Sequence, residues 1–147
     1  MTSRPDVRTI ARIVLALVFL GAGLLHLIVP GPFLRITPHW VPDPQTVVRL
    51  TGLAELLGAT GLMIPRLRRA AGWALALYAV CVFPANIKHA MDGLTSGTGL
   101  GWAYHGPRLL FQPVIVWWCL WASTAIDWPF RRPQAAARVA PISMERI

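Results

Sequence analysis

Five side chains able to hold a proton or bind a polar group stand out in an otherwise apolar chain: His26, Glu55, Asn86, Arg108 and Gln112. A carboxyl and an imidazole together are sufficient for a proton relay, because the imidazole changes charge near neutral pH. Glu55 carries the strongest signal. Counted at about 1.5 Å per residue, it falls roughly 13 Å into its apolar stretch, near mid-membrane depth. An ionised carboxylate there has to be neutralised, hydrogen-bonded or salt-bridged. By depth its partners are His26, or Arg108 and Gln112 further along the chain, whereas Arg49 lies six residues away on a different helical face. Pro84 and Pro113 add a second kind of polar group. A proline within a helix leaves a carbonyl one turn earlier without its donor, here near residues 80 and 109, and such groups are tolerated when buried or lining a wet cavity. The expectation is an outward-facing polar pocket walled by four helices, with Glu55 at its floor. The stretch "VCVFPANIKHAMDG" would form one wall, with Lys88, His89 and Asp92 reaching the interface as helix-end groups usually do.

Those residues need elements to hold them, and composition indicates which. Of the 147 residues 55% are hydrophobic and 14% charged, and the mean hydropathy is +0.53. That excludes an ordinary soluble domain of this size. Scanned with a window of about 19 residues, four stretches are long enough to cross a hydrocarbon layer of roughly 30 Å: Ile10 to Val29, Thr46 to Ile64, Ala70 to Ile87 and Leu109 to Trp128. The fold class predicted is an all-α integral membrane protein, an antiparallel four-transmembrane-helix bundle over residues 1–128 with both termini cytoplasmic. Residues 129–147 would form a flexible, Pro-, Ala- and Arg-rich cytoplasmic tail. The first stretch is too long for a secretory leader and ends in "LIVPGPF" rather than small cleavage-site residues. The loop "PGPFLRITPHWVPDPQ" holds five of the thirteen prolines and reads as a stiff, extended or turn-rich cap. Gly21, Gly23, Gly52, Gly58 and Gly61 read as packing positions between helices.

The net charge of +8 is read as topology. Alternating the four spans places Arg4, Arg8, Arg12, Arg66, Arg68, Arg69, Arg131, Arg132, Arg138 and Arg146 on one side, ten of the fourteen basic residues. Basic loops stay in the cytoplasm and meet anionic headgroups. The partners implied are a lipid bilayer and a membrane-protein partner or homo-oligomer, with no nucleic acid. Cys81 and Cys119 both fall inside spans and form no C-x-x-C, which suits small buried hydrophobes. No dense metal-ligand cluster, nucleotide motif or nucleophile with a neighbouring base is present, so a self-contained enzyme is not expected. A haem between His26 and His89 is the weakest of the cofactor readings.

The segments "GAGLLHLIVPGPFLRITPHWVP", "RLTGLAELLGATGLMIPRLRRAAGWAL", "VFPANIKHAM" and "PRLLFQPVIVWW" resemble the DoxX-like family of small bacterial four-helix membrane proteins, over about residues 10 to 125. The resemblance rests on the glycine-flanked glutamate, the Pro-Arg hairpin after it and "VFPAN" taken together. It implies His26, Glu55, Pro84, Asn86, Arg108 and Gln112 as the matching polar positions, and a multi-pass protein of the bacterial inner membrane. The Trp-rich fourth stretch and the small-residue helix faces, suited to docking a partner, point to a non-catalytic assembly or interaction subunit of a membrane complex. The alternative is a redox-associated subunit handling a quinone or other small amphipathic molecule.

Overall fold

The computed structural model describes residues 6–97 and 101–129. The described chain is helical, with no strand among the described residues: α1 (Val7–Ile28), the short α2 (Gly31–Ile36), α3 (Pro44–Met63), α4 (Arg68–Ser96) and α5 (Gly101–Ala122). By length and composition α1, α3 and α4 can cross a membrane. Their outward faces are apolar, with Leu17 61%, Leu57 73% and Leu77 65% exposed. Such a surface suits hydrocarbon rather than water.

Several boundaries differ from the sequence expectation, each for a local reason. The proline-rich loop is not simply extended: a proline in its first turn lets residues 31–36 form α2, since the missing N–H there has no helical acceptor anyway. Asp43 then starts α3 by accepting a hydrogen bond from the Thr46 N–H, ahead of Pro44. The hydrogen bonds from Thr46 hold the Asp43 carboxyl below its ordinary range. The third span does not stop at Ile87: α4 runs through Pro84 to Ser96 and ends at Gly97, whose φ of 63° is the left-handed cap glycine adopts freely. The fourth stretch shifts instead of extending. Helix α5 starts at Gly101 and ends at Ala122, so Ser123 to Trp128 lie beyond it. With polar first turns, Gln112 and several tryptophans, α5 is not among the helices apolar enough to cross by composition. The expected tail, apart from Pro129, lies outside the described residues.

Helix α1 packs on α3, α3 on α4, α4 on α5, and α5 closes back on α1. Leu15, Phe19, Leu62, Leu75, Cys119 and Trp121 fill the core between them. The tightest crossing that matters for the site is glycine against glycine. A Cβ on Gly23 would sit 2.8 Å from the Gly52 carbonyl oxygen, and one on Gly52 would sit 2.8 Å from the His26 Cβ. Only a bare backbone allows that approach, and it sets His26 beside α3. Gly21, by contrast, faces nothing within 4 Å.

The basic residues at the opposite end do more than mark a side. Arg8 and Arg12 are buried. Arg12 donates through Nε to the Ala122 carbonyl at 2.9 Å, and Arg8 meets Asp127 at 2.8 Å while its guanidinium lies over the Trp121 ring. Arg68 likewise donates to the Leu62 carbonyl at 3.3 Å. Cations at helix C-termini satisfy the last carbonyls and oppose the negative end of the helix dipole. These arginines therefore fasten α1 to the end of α5 and close the end of α3.

Candidate functional site: an amphipathic cavity around Glu55

A cavity of about 860 Å³ is lined by residues from all five helices. That volume lies within the range of sites for drug-sized ligands, roughly 300 to 1,000 Å³. Its wall is mainly apolar and aromatic, with Phe19, Phe33, Phe111 and Trp118 among the lining side chains. Two polar groups interrupt that wall.

The first group is built on α1, α3 and α4. Glu55 is 4% exposed and points inward. Its Oε1 accepts from the Tyr78 hydroxyl at 2.8 Å. Its Oε2 lies 2.8 Å from His26 Nδ1. That same nitrogen lies 2.9 Å from the carbonyl of Ala22, one turn back along α1. One ring nitrogen carries at most one proton, so it makes a full two-centre bond to only one of these acceptors at a time. With the N–H directed at Ala22, Oε2 is buried without a hydrogen bond and His26 acts on it only as an electrostatic neighbour. With the proton on Oε2 instead, the carboxyl donates to Nδ1. The pair can therefore hold one proton in two places. Phe33 of α2 stacks on the imidazole, ring centroids 3.7 Å apart, and fixes its plane.

The second group joins α4 to α5. Gln112 donates to the Ala79 carbonyl, one residue before the Val80 carbonyl that Pro84 leaves without its donor. Asn86 donates to Gln112 Oε1 at 3.1 Å. Arg108 donates to Asn86 Oδ1 at 2.8 Å, and its other terminal nitrogen meets His89 Nδ1 at 2.5 Å. The hydrogen bonds thus form one continuous series, and His89 accepts rather than donates at Nδ1. No carboxylate pairs with Arg108 among the described residues. Asp92, the nearest candidate in sequence, is bound to Lys88.

All five singled-out residues line this one cavity, together with Pro84. They do not form one cluster. Glu55 pairs with His26, while Asn86, Arg108 and Gln112 bond to one another and leave the acid alone. Pro113 is a helical residue of α5 outside the lining. His89, expected merely to reach the interface, is held by Arg108. Tyr78 was missed, and the available signal was a phenol within an apolar helix, whose hydroxyl needs a partner when buried.

The cysteines lie at different levels. Cys81 is exposed and lines the cavity, whereas Cys119 is buried, its carbonyl against Gly72. Residues 72 and 81 are separated by about 13 Å of helix at 1.5 Å per residue, and both thiols are free. N-ethylmaleimide should add once to the native purified protein, at Cys81, as read by intact mass and peptide mapping. Labelling of Cys119 at a comparable rate would contradict this packing.

No characterised protein and no solved structure matches the chain. A family model does, over residues 15–123, which covers every residue that lines the cavity. The chain belongs to the family described as Domain of unknown function (DUF8561).

Proposed function

We propose that this protein is a DoxX-like, four-transmembrane subunit of a bacterial inner-membrane complex, and that its cavity binds a small amphipathic molecule without itself catalysing a reaction. In this reading α5 is the fourth span. Arg66, Arg68 and Arg69 mark the cytoplasmic side, both termini lie there, and α2 faces outward. The observation that carries the reading is the cavity: an apolar space of about 860 Å³ with a buried carboxylate in its wall. A protein made only to dock a partner through its outer faces has no need of such a space. The redox alternative, with a quinone as the bound molecule, draws on a separate observation. His26 Nδ1 and Glu55 Oε2, 2.8 Å apart among the residues of the cavity wall, supply a pair able to exchange a proton, which quinone reduction requires.

The test is thermal unfolding of the purified protein with fractions of its own membrane lipids. A ligand bound at a hundred times its Kd adds about 2.7 kcal/mol, worth several degrees at this chain length. One fraction beyond bulk phospholipid should raise the Tm, and Glu55→Gln should lose most of the gain. If no fraction acts, the binding reading fails. Activity confined to the quinone fraction would favour the redox alternative.

A further inference from the structure

Resting on the reading of the cavity as a binding site, we infer that its occupant is an amphipathic anion, held at its charged end by Arg108 with its apolar body lying along α5. The two polar groups of the wall differ in how far they are matched. Glu55 accepts from Tyr78 and lies 2.8 Å from His26. Arg108, half-buried in the same wall, has no carboxylate partner among the described residues.

A guanidinium carries five N–H donors and a permanent positive charge. Arg108 directs one donor at Asn86 Oδ1 and one at His89 Nδ1, both neutral acceptors, and its central carbon lies 5.9 Å from the centre of the Tyr104 ring. These contacts orient the fork without neutralising it. The donors left over suit an anionic oxygen, because charge-assisted bonds are roughly twice as strong as neutral ones. The surroundings point the same way. At the end of the bundle that carries α2, Arg35, Arg49, Lys88 and Arg108 stand against Asp43 and Asp92. That excess of positive charge draws anions and repels amines.

The apolar body has a surface to match. Phe111, Ile115 and Trp118 follow Arg108 along α5 and line the cavity. Trp118 donates to the Ala11 carbonyl at 3.1 Å, where α5 meets α1. Arg108 and Trp118 are ten residues apart, or about 15 Å along the helix axis, a depth that suits an alkyl chain of medium length. A carboxylate or a phosphate ester satisfies the charged end, whether carried by a single-chain amphiphile or by a phospholipid headgroup.

The experiment measures binding to the full chain in phosphatidylcholine nanodiscs, with each affinity referred to the probe dissolved in the bilayer. The probes share one decyl chain: decyl phosphate, decanol and decyltrimethylammonium. Decyl phosphate should bind about tenfold more tightly than decanol, and the cation more weakly than both. In Arg108→Gln protein the preference for the phosphate should vanish while decanol binds as before, which also shows that the cavity is intact. Arg35→Gln removes an equal charge from an exposed site and should leave the preference in place. Repeating the decyl phosphate titration in phosphatidylglycerol nanodiscs separates the two sources, in about 1 M salt so that the Debye length falls to about 3 Å. Competition identifies a lipid headgroup as the anion, and unchanged affinity a single-chain amphiphile. Equal binding of phosphate and decanol, or tightest binding of the cation, overturns the inference and leaves the cavity as a binding site. A preference that survives in Arg108→Gln, or is lost equally in Arg35→Gln, overturns it too. If none of the probes binds while a membrane-lipid fraction still raises the Tm, this inference alone is lost. If none binds and no fraction acts, the binding reading falls with it.

Discussion

Gly52→Ala should destabilise the protein by about 1–3 kcal/mol, the usual cost of forcing extra volume into a packed contact. The matched Gly21→Ala should be neutral or stabilising by up to about 1 kcal/mol, because alanine is the better helix former. Both substitutions add one methyl group to a glycine in an apolar helix, and helix propensity alone predicts a gain from each. The difference is the neighbour. At Gly52 the added carbon would lie 2.8 Å from the His26 Cβ and 3.0 Å from the Gly23 carbonyl oxygen, while at Gly21 it would meet nothing within 4 Å. Neither neighbour is the far end of a flexible side chain, so relief requires α1 and α3 to separate. Separation would also draw His26 away from Glu55. Thermal unfolding of the two variants side by side checks this, and equal shifts would show that the glycine crossing is not tight.

The second large effect is expected at the other end of the molecule. Replacing Arg12 with Met retains most of the side-chain volume but removes the Nε donor that reaches the Ala122 carbonyl at 2.9 Å. A buried bond from a charged donor is worth about 1.5–3 kcal/mol, so Arg12→Met should lower stability by roughly that amount. Arg66 is exposed, and Arg66→Gln should change it by less than about 0.5 kcal/mol. Arg12→Lys should fall between them, since it keeps the charge at the helix end but not the guanidinium geometry. Unfolding of the three variants in one detergent tests the ranking. A loss at Arg66 as large as at Arg12 would mean that the arginines act through net charge alone.

How much of this was legible in the sequence differs from residue to residue. The helices α1 and α3 follow from hydropathy alone, because their apolar runs are uninterrupted by proline. The pairing of Glu55 with His26 was one of the alternatives that depth left open, and the Gly23–Gly52 approach decides in its favour. The length of α4 and the start of α5 were not legible. Pro84, Pro107 and Pro113 sit inside those helices, where local preference argues for a break. Gln112 bonds to the Ala79 carbonyl, adjacent to the Val80 carbonyl that Pro84 leaves without its helical donor. The division of the polar residues into two groups was hidden for a related reason. Depth along a helix fixes a residue's level but not the direction it faces, so Arg108 and Gln112 looked as close to Glu55 as His26 did. Arg8 and Arg12 were read only as charges marking one side, since nothing in sequence announces that a carbonyl more than a hundred residues away awaits them.

Mass spectrometry of the intact protein, released gently from its native membrane, tests the central claim most directly. The account predicts one small amphipathic molecule per chain, lost when Cys81 on the cavity wall is alkylated with a bulky maleimide. A bare protein mass, or bound phospholipid that survives that alkylation undiminished, would contradict it.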